Sequence, residues 1–111
     1  MVKNYLPKKG DLVWMSFDPS LGHEQKGRRP ALVVSSGDFN KATGMVYVCP
    51  VTTTDKKYLH HLPIDSYKVE GFVMCEHLRS IDYVSRKLEF IEKASATLVV
   101  NVSNCLEAIL C

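Results

Sequence analysis

The chain has 111 residues, of which 46% are hydrophobic and 23% charged, and its formal net charge at pH 7 is +2. This composition indicates one soluble globular domain, residues 1–111, and argues against a disordered or membrane-embedded chain. Because no apolar stretch typical of a secretory signal follows the first residues, we expect the protein to reside in the cytoplasm.

The first half of the chain predicts three strands. Residues 12–17 and 45–51 are rich in β-branched and aromatic residues, and Pro50 is expected to mark the edge or end of the second of these strands. Residues 31–34 form a continuous apolar run, which is typical of a strand covered on both faces. The intervening sequence predicts polar loops at 18–28 and 52–57 and a turn or single helical turn at 37–44.

Shorter strands are expected further along, around residues 61–64, 71–75 and 78–83. Several short strands at near-regular spacing predict a small sandwich or barrel. In the tail, Ser95 is a candidate N-cap, and apolar residues continue from Leu98 to the end at helical spacing. Although residues 97–102 also have the composition of a strand, the unbroken apolar stripe favours a C-terminal helix.

Four cysteines are present, and their spacing matches no zinc site, because the chain has no C-x-x-C pair. Together with the absence of a secretory signal, this favours reduced and mostly buried thiols. We expect Cys111 to be the exposed one. No metal or other cofactor is expected.

Positive charge is concentrated early in the chain. Residues 1–41 carry seven Lys and Arg against four acids, whereas residues 42–111 carry seven against eight. The excess peaks at Lys26-Gly27-Arg28-Arg29, and such a local cluster can hold phosphates even in a nearly neutral protein. The alternative interpretation is a solvated loop.

Two residues at predicted strand ends suit phosphate chemistry. Arg29 stands where the first polar loop meets a strand, and Thr52 stands where a strand gives way to the second loop. A guanidinium can grip a phosphate and stabilise charge that develops on it, although a surface ion pair is an equally good interpretation of Arg29. RNA supplies its own nucleophile, the 2′-hydroxyl, so this chemistry demands no metal ion.

Candidates for proton transfer lie in the first loop. His23 has the side chain that titrates near neutral pH, and Glu24 adjoins it, although a lone loop histidine is more often merely solvated. His60 and His61 lie near a polar turn and are weaker candidates. Motifs of nucleotide hydrolases, zincins and α/β-hydrolases are absent from the sequence, and its carboxylates show no metal-ligand spacing.

Several stretches in fixed order resemble the MazF/PemK/Kid toxins of prokaryotic toxin–antitoxin systems, with MazF the nearest type. They span residues 10 to about 90 and include Gly10-Asp11-Leu12-Val13-Trp14, Gly22-His23-Glu24-Gln25, Arg29-Pro30-Ala31, Pro50-Val51-Thr52-Thr53 and Glu76-His77-Leu78-Arg79. The resemblance implies a β-rich α+β fold, a small SH3-like twisted β-barrel with a C-terminal helix, forming a homodimer. It further implies metal-independent cleavage of single-stranded RNA at short sequences, leaving 2′,3′-cyclic phosphate and 5′-hydroxyl ends, and a MazE-like antitoxin as partner.

In this family the Arg of the R-P pair and the Thr of the P-x-T stretch are the catalytic pair, which match Arg29 and Thr52, and Glu24 matches a position that matters in some members. Kid-type members use an Arg where this chain has Met74, which favours the Arg29 and Thr52 arrangement. The residues expected to bind RNA are Phe17, His23, Gln25, Arg28, Thr53, Lys56, His77, Arg79 and Arg86.

The Glu76-His77 pair departs from the family pattern, in which Asp-Gln is common. If His77 faces the RNA, the recognised sequence and the pH dependence of activity change; the alternative is packing at a strand turn. Two other functions remain open: a poison of DNA gyrase like the structurally related CcdB, and a non-catalytic SH3-like binding module. CcdB depends on a C-terminal segment with Trp, whereas the single Trp here is Trp14.

Overall fold

The computed structural model describes residues 5–16, 28–54 and 60–111. These residues form seven β-strands, two α-helices and one short 3-10 helix. In chain order they are β1 Asp11–Ser16, β2 Arg28–Val33, α1 Gly37–Thr43, β3 Met45–Thr52, β4 His61–Pro63, β5 Phe72–Met74, the 3-10 helix Cys75–His77, β6 Arg79–Asp82, β7 Glu89–Lys93 and α2 Ala96–Leu110.

All described strand pairs are antiparallel, and the hydrogen-bonded order is β4-β5-β3-β2-β1-β7, with β6 also paired to β3. The prediction of a β-rich fold with a C-terminal helix is confirmed. The predicted barrel is curled but not closed: among the described residues, no ladder of hydrogen bonds joins β7 to β4 or to β6. The fold is therefore an open antiparallel sheet, in which β4, β6 and β7 each pair with one strand among the described residues.

Strand β3 exchanges one partner for another along the same edge. It pairs with β6 up to Val48 and with β5 from Val51, and Pro50 falls between the two partners. Of the two predicted alternatives for Pro50, the end of the strand is wrong, because β3 runs on to Thr52 and Pro50 pairs with Ala31 on the other side. The edge alternative is nearer to the structure, since the pairs with β6 and β5 stop on either side of Pro50. A residue without an N–H is tolerated at a position where the ladder is interrupted.

Strand β2 is covered on both faces, as its apolar run predicts. Leu32 packs in a cluster with Cys49 and with α2 residues Leu98 and Val102. Ala31 and Val33 pack in a second cluster on the opposite face. Successive side chains of a strand point to opposite faces, so one short strand contributes to both clusters. This central position fixes β2 between β1 and β3.

Both helices have the capping chemistry that their sequences indicate. The Ser95 hydroxyl accepts the N–H of Leu98 at 3.0 Å, which confirms the predicted start of α2. Helix α1 has seven residues rather than the single turn expected. Its N-cap is Ser36, whose hydroxyl accepts the N–H of Phe39, and its C-cap is Gly44 in the left-handed conformation. No helix of the described segments is long and apolar enough to cross a membrane.

The four cysteines are free: Cys49 and Cys75 are buried, Cys105 is half-buried and Cys111 is exposed. This confirms the predicted thiol state. Burial and contact with the Cys75 thiol raise the pKa of Cys105 to about 11, and a hydrogen bond with Cys49 together with burial raises the pKa of Cys75 further. Thiols held in the protonated form are poor nucleophiles, so these two are structural.

A buried carboxylate joins the start of β1 to the end of β7. Asp11 is only 3% exposed. It accepts hydrogen bonds from the Tyr5 hydroxyl, the Lys8 N–H at 3.0 Å and the Lys93 ammonium at 2.9 Å. A buried charge with three donors is fully compensated, and removing it leaves those donors unsatisfied.

We therefore expect Asp11→Ala to lower the free energy of unfolding by about 2–4 kcal/mol. Urea unfolding followed by far-UV circular dichroism measures this change. The matched control is Asp38→Ala, because Asp38 is an exposed carboxylate in α1 and should cost no more than about 1 kcal/mol. Equal losses in the two variants would show that the Asp11 contacts do not stabilise the fold specifically.

Candidate active site

The candidate site lies at one end of the sheet. Strand β2 runs antiparallel to both β1 and β3, so its first residues lie beside the last residues of these two strands. Ser16 pairs with Arg28 and Met15 pairs with Arg29. Residues far apart in sequence therefore meet at this edge, where side chains are held by the sheet yet reach solvent.

The register of β2 and β3 brings the two predicted catalytic residues together. Ala31 pairs with Pro50, and continuing the same register by two residues places Arg29 opposite Thr52. Directly opposed residues of an antiparallel pair project from the same face, with Cβ atoms about 5 Å apart. Arg29 is exposed and Thr52 is half-buried, so a ligand can reach both side chains.

The hydroxyl of Thr52 is oriented by a local turn. Its Oγ1 accepts the backbone N–H of Thr54 at 3.1 Å. A threonine hydroxyl has one donor proton and two acceptor lone pairs, so accepting this bond leaves the proton available to donate. The Thr52 hydroxyl can therefore still donate a hydrogen bond to a ligand.

The two neighbouring arginines of the basic cluster face opposite sides of the sheet, because adjacent residues of a strand alternate. Arg28 forms an ion pair with Glu89 of β7, with 2.5 Å between Nη2 and Oε1, and both side chains are substantially exposed. An exposed pair of this kind is weak, so Arg28 remains able to exchange its partner for a phosphate. Arg28 and Arg29 cannot, however, grip one phosphate from the same face.

Arg86 joins the same end of the sheet from the turn between β6 and β7. Its carbonyl accepts the N–H of Ser16 at 3.2 Å, and its guanidinium donates to the Ser16 carbonyl at 3.4 Å. The turn is therefore tied to the end of β1. Arg86 and Arg28 both lie next to Ser16, and this places two of the predicted RNA-binding cations near Arg29.

Other predicted residues are distributed differently. Thr53 is exposed directly after Thr52, whereas Arg79 is exposed opposite Val48, four residues back along β3. At about 3.3 Å per residue, that separation is roughly 13 Å along the strand from the position of Thr52. Five predicted residues lie outside the described residues: Phe17, His23, Glu24, Gln25 and Lys56.

His77 lies on the 3-10 helix, with 59% of its side chain exposed. It is therefore not packed in the core at a strand turn, which was the alternative interpretation. Its Nε2 lies 3.7 Å from a carboxylate oxygen of Glu76, and the same oxygen lies 2.6 Å from Nε2 of His61. His61 is buried, because it belongs to β4, the strand predicted around residues 61–64, and pairs with Met74.

Glu76 thus connects a buried histidine with an exposed one. Burial raises the pKa of Glu76, but hydrogen bonds from its own N–H and from His61, with the charges of His61 and His77, outweigh burial and hold the pKa below its ordinary value. A carboxyl whose folded pKa is depressed stabilises the fold above its unfolded pKa, and this contribution disappears as the pH falls through the folded pKa.

We expect wild-type protein to be about 1 kcal/mol more stable than Glu76→Gln near neutral pH, and the difference to shrink as the pH falls from about 5 to 3. Chemical denaturation at several pH values measures it. Asp38→Asn is the control, because Asp38 is an exposed carboxylate that accepts no side-chain hydrogen bond from the described residues. A difference that stays constant through this interval would contradict the assigned contacts of Glu76.

The part of the chain that the structure describes contains no group of three or more His, Cys, Asp or Glu residues arranged to hold a metal ion. Sequence reasoning missed Glu89 and the whole of β7, because residues 89–93 are mostly charged and include only one β-branched residue, Ile91. The Arg28–Glu89 contact joins residues 61 positions apart, so no local signal predicts it.

Comparison with known proteins matches residues 8–110 to a family described as PemK-like, MazF-like toxins of type II toxin–antitoxin systems. The endoribonuclease toxin MazF of Escherichia coli K12 is 38% identical over 86 residues, which cover 78% of each chain. Among solved structures, MazF of Deinococcus radiodurans is 41% identical with a TM-score of 0.85, covering 96% of this chain and 98% of that one. A MazE–MazF complex from the same organism matches with 38% identity and a TM-score of 0.87, covering 96% and 97%.

Proposed function

The chain belongs to the PemK-like and MazF-like toxins of type II toxin–antitoxin systems and is an endoribonuclease of that family, and we propose that it cleaves single-stranded mRNA through Arg29 and Thr52 without a metal ion. The observation that carries this proposal is the pairing of Ala31 with Pro50, a register that, continued by two residues, sets Arg29 opposite Thr52 at an exposed sheet end. Two donors on one face, next to further cations, fit a phosphodiester backbone.

The reaction proposed is an internal transfer at phosphorus. The 2′-oxygen of the RNA attacks the neighbouring phosphorus, the bond from phosphorus to the 5′-oxygen breaks, and the products carry a 2′,3′-cyclic phosphate and a 5′-hydroxyl. One proton leaves the 2′-hydroxyl and one reaches the departing 5′-oxygen. Glu24 and His23, in the segment between β1 and β2, are the candidates for these proton transfers.

Arg29 and Thr52 supply electrostatic stabilisation rather than proton transfer. Negative charge builds up on the non-bridging phosphate oxygens as the 2′-oxygen attacks, and a guanidinium and a hydroxyl donor fixed on neighbouring strands can meet that charge without reorganising. In this proposal Arg28, Arg86 and Thr53 hold flanking phosphates and sugars. His77, exposed beside Glu76, is proposed to contact a base.

The proposed partners are a second copy of the chain and a MazE-like antitoxin. The related complex of MazE and MazF from Deinococcus radiodurans supports the antitoxin. An acidic, disordered antitoxin segment would be attracted by the arginines at the end of β2 and would compete with RNA for them. Because mRNA is the proposed substrate, the proposed place of action is the cytoplasm.

The test is to incubate the purified protein with a long single-stranded RNA in excess EDTA and to map the product ends. Cuts at one short sequence, with cyclic phosphate and 5′-hydroxyl ends, are expected. Cleavage that requires added Mg²⁺ would refute the metal-independent reaction. An absence of cleavage by folded protein would favour a gyrase-directed or purely binding role instead.

A further inference from the structure

Gly71, the residue before β5, has a backbone conformation that residues with a side chain rarely adopt. Its φ is +131°, and its carbonyl accepts the N–H of Ile64 at 2.9 Å, which fixes the peptide from one side. A residue with a Cβ rarely adopts such a φ, because its side chain would collide with the main chain. The structure therefore requires glycine here on conformational grounds alone.

A second constraint comes from Thr52. A Cβ at position 71 would lie 2.4 Å from the Thr52 carbonyl oxygen, 3.1 Å from its carbonyl carbon and 3.2 Å from Cγ1 of Val51. The nearest of these contacts is with main chain, so no flexible side-chain end can give way. Any side chain at position 71 must displace either β5 or the last residue of β3.

Thr52 is consequently held from two directions. Its hydroxyl accepts the N–H of Thr54, and its main chain pairs with Phe72, the residue that follows Gly71. The opposing strand β2 carries Arg29 on the other side of β3. A shift of the Thr52 main chain would therefore change the distance between the Thr52 hydroxyl and the Arg29 guanidinium.

We propose that Gly71 is a positioning residue for RNA cleavage, since its missing side chain lets the Thr52 main chain sit where the Thr52 hydroxyl and Arg29 meet one phosphate. This inference rests on the proposed function of Thr52. Gly71 itself touches no substrate. Its effect passes through Thr52, and misplacement of a donor by about 1 Å is enough to lower a reaction rate about 10²-fold.

Gly44 provides a matched control within the same chain. It also has a positive φ, +75°, at the end of α1, but a Cβ there would meet nothing within 4 Å. Gly71→Ala and Gly44→Ala therefore both introduce backbone strain, and only the first introduces a collision with Thr52. Comparing them separates a general loss of stability from a displaced Thr52.

The experiment measures the single-turnover cleavage rate at saturating RNA, per folded molecule, together with the thermal midpoint and the affinity for RNA with a 2′-deoxy group at the cut site. We expect both variants to melt earlier and to keep their affinity. Gly71→Ala should cleave about 10²-fold more slowly, whereas Gly44→Ala should cleave at the wild-type rate. Wild-type cleavage by folded Gly71→Ala would overturn the proposal.

A double variant shows whether Gly71 acts through Thr52. In a Thr52→Val background, Gly71→Ala should lower the thermal midpoint as before but slow cleavage no further. If the double variant instead loses the product of the two single-variant rate losses, the proposal is overturned. If Thr52→Val alone cleaves normally, the proposed role of Thr52 fails, whereas an impaired Thr52→Val beside a fully active Gly71→Ala refutes the Gly71 inference alone.

If Gly71→Ala is partly unfolded in buffer, all variants are measured in about 1 M trimethylamine N-oxide, an osmolyte that stabilises the folded state. If Gly71→Ala stays unfolded there while Gly44→Ala folds, Gly71 is required for the fold as a whole, and the specific role in cleavage is overturned.

Discussion

Replacing Arg29 by alanine is expected to slow single-turnover RNA cleavage about 10³-fold and to leave the fold intact. Continuing the register of β2 and β3 places the guanidinium opposite Thr52, and no other described residue of β2 or β3 carries a positive charge on that face. Arg29 is exposed, so truncating it should change the free energy of unfolding by no more than about 0.5 kcal/mol. Cleavage is followed with RNA labelled at its 5′ end.

Arg28→Ala is the matched control for this variant. It removes the same charge one residue away, but from the opposite face of β2, where Arg28 is paired with Glu89. We expect a few-fold loss of affinity for RNA, which diminishes at high salt, and little change in the cleavage step. Equal rate losses in Arg28→Ala and Arg29→Ala would mean that net charge, and not a placed guanidinium, promotes the reaction.

Arg29→Lys refines the same prediction. An ammonium keeps the charge but loses the planar fork that grips two oxygens of one phosphate, so partial rescue is expected. Full activity of Arg29→Lys would show that charge alone suffices.

Thr52→Val is expected to slow cleavage about 10²-fold, because it removes one hydrogen-bond donor aimed at the developing charge while keeping the shape of the side chain. Valine also favours a strand conformation, so β3 should be retained. The measurement is again the single-turnover rate at saturating RNA, with affinity for 2′-deoxy RNA recorded separately. The rate should fall, and the affinity should change little.

Thr52→Ser and Thr53→Val are the controls for the hydroxyl. Serine keeps the oxygen that accepts the Thr54 N–H and should retain most of the activity. Thr53 is exposed beside the site, so its valine variant should show at most a change in affinity. A greater rate loss in Thr53→Val than in Thr52→Val would show that the catalytic hydroxyl belongs to Thr53 and not to Thr52.

The sequence predicted those helices and strands that depend on neighbouring residues, such as a capping residue or the spacing of apolar side chains. Ser95 and the spacing of apolar residues after it predicted α2, and the run Ala31-Leu32-Val33 predicted a strand covered on both faces. Arg29 and Thr52 were identified as strand-end residues suited to phosphate chemistry, with their pairing into a catalytic couple supplied by family resemblance. What no local pattern contains is the register that brings them opposite each other.

The contacts that were missed join distant parts of the chain. Glu89 pairs with Arg28 across 61 positions, and Gly71 meets Thr52 through main-chain atoms that leave no trace in composition. A strand was predicted around residues 61–64, but its composition does not show that the pairing of β4 with β5 buries His61 beside Glu76. These features depend on tertiary packing, which overrides local preference.

The central place of β2 also bears on how the toxin can lose activity. Strands flanked on both sides and packed on both faces open only when the whole domain unfolds, whereas peripheral segments fluctuate at much lower free energy. Arg29 precedes the part of this strand that is packed on both faces and is paired with Met15 of β1, so fraying of α2 does not by itself break that pairing. Local opening of α2 therefore leaves the Arg29 guanidinium available to RNA, whereas an occupant of the site would block it without any unfolding.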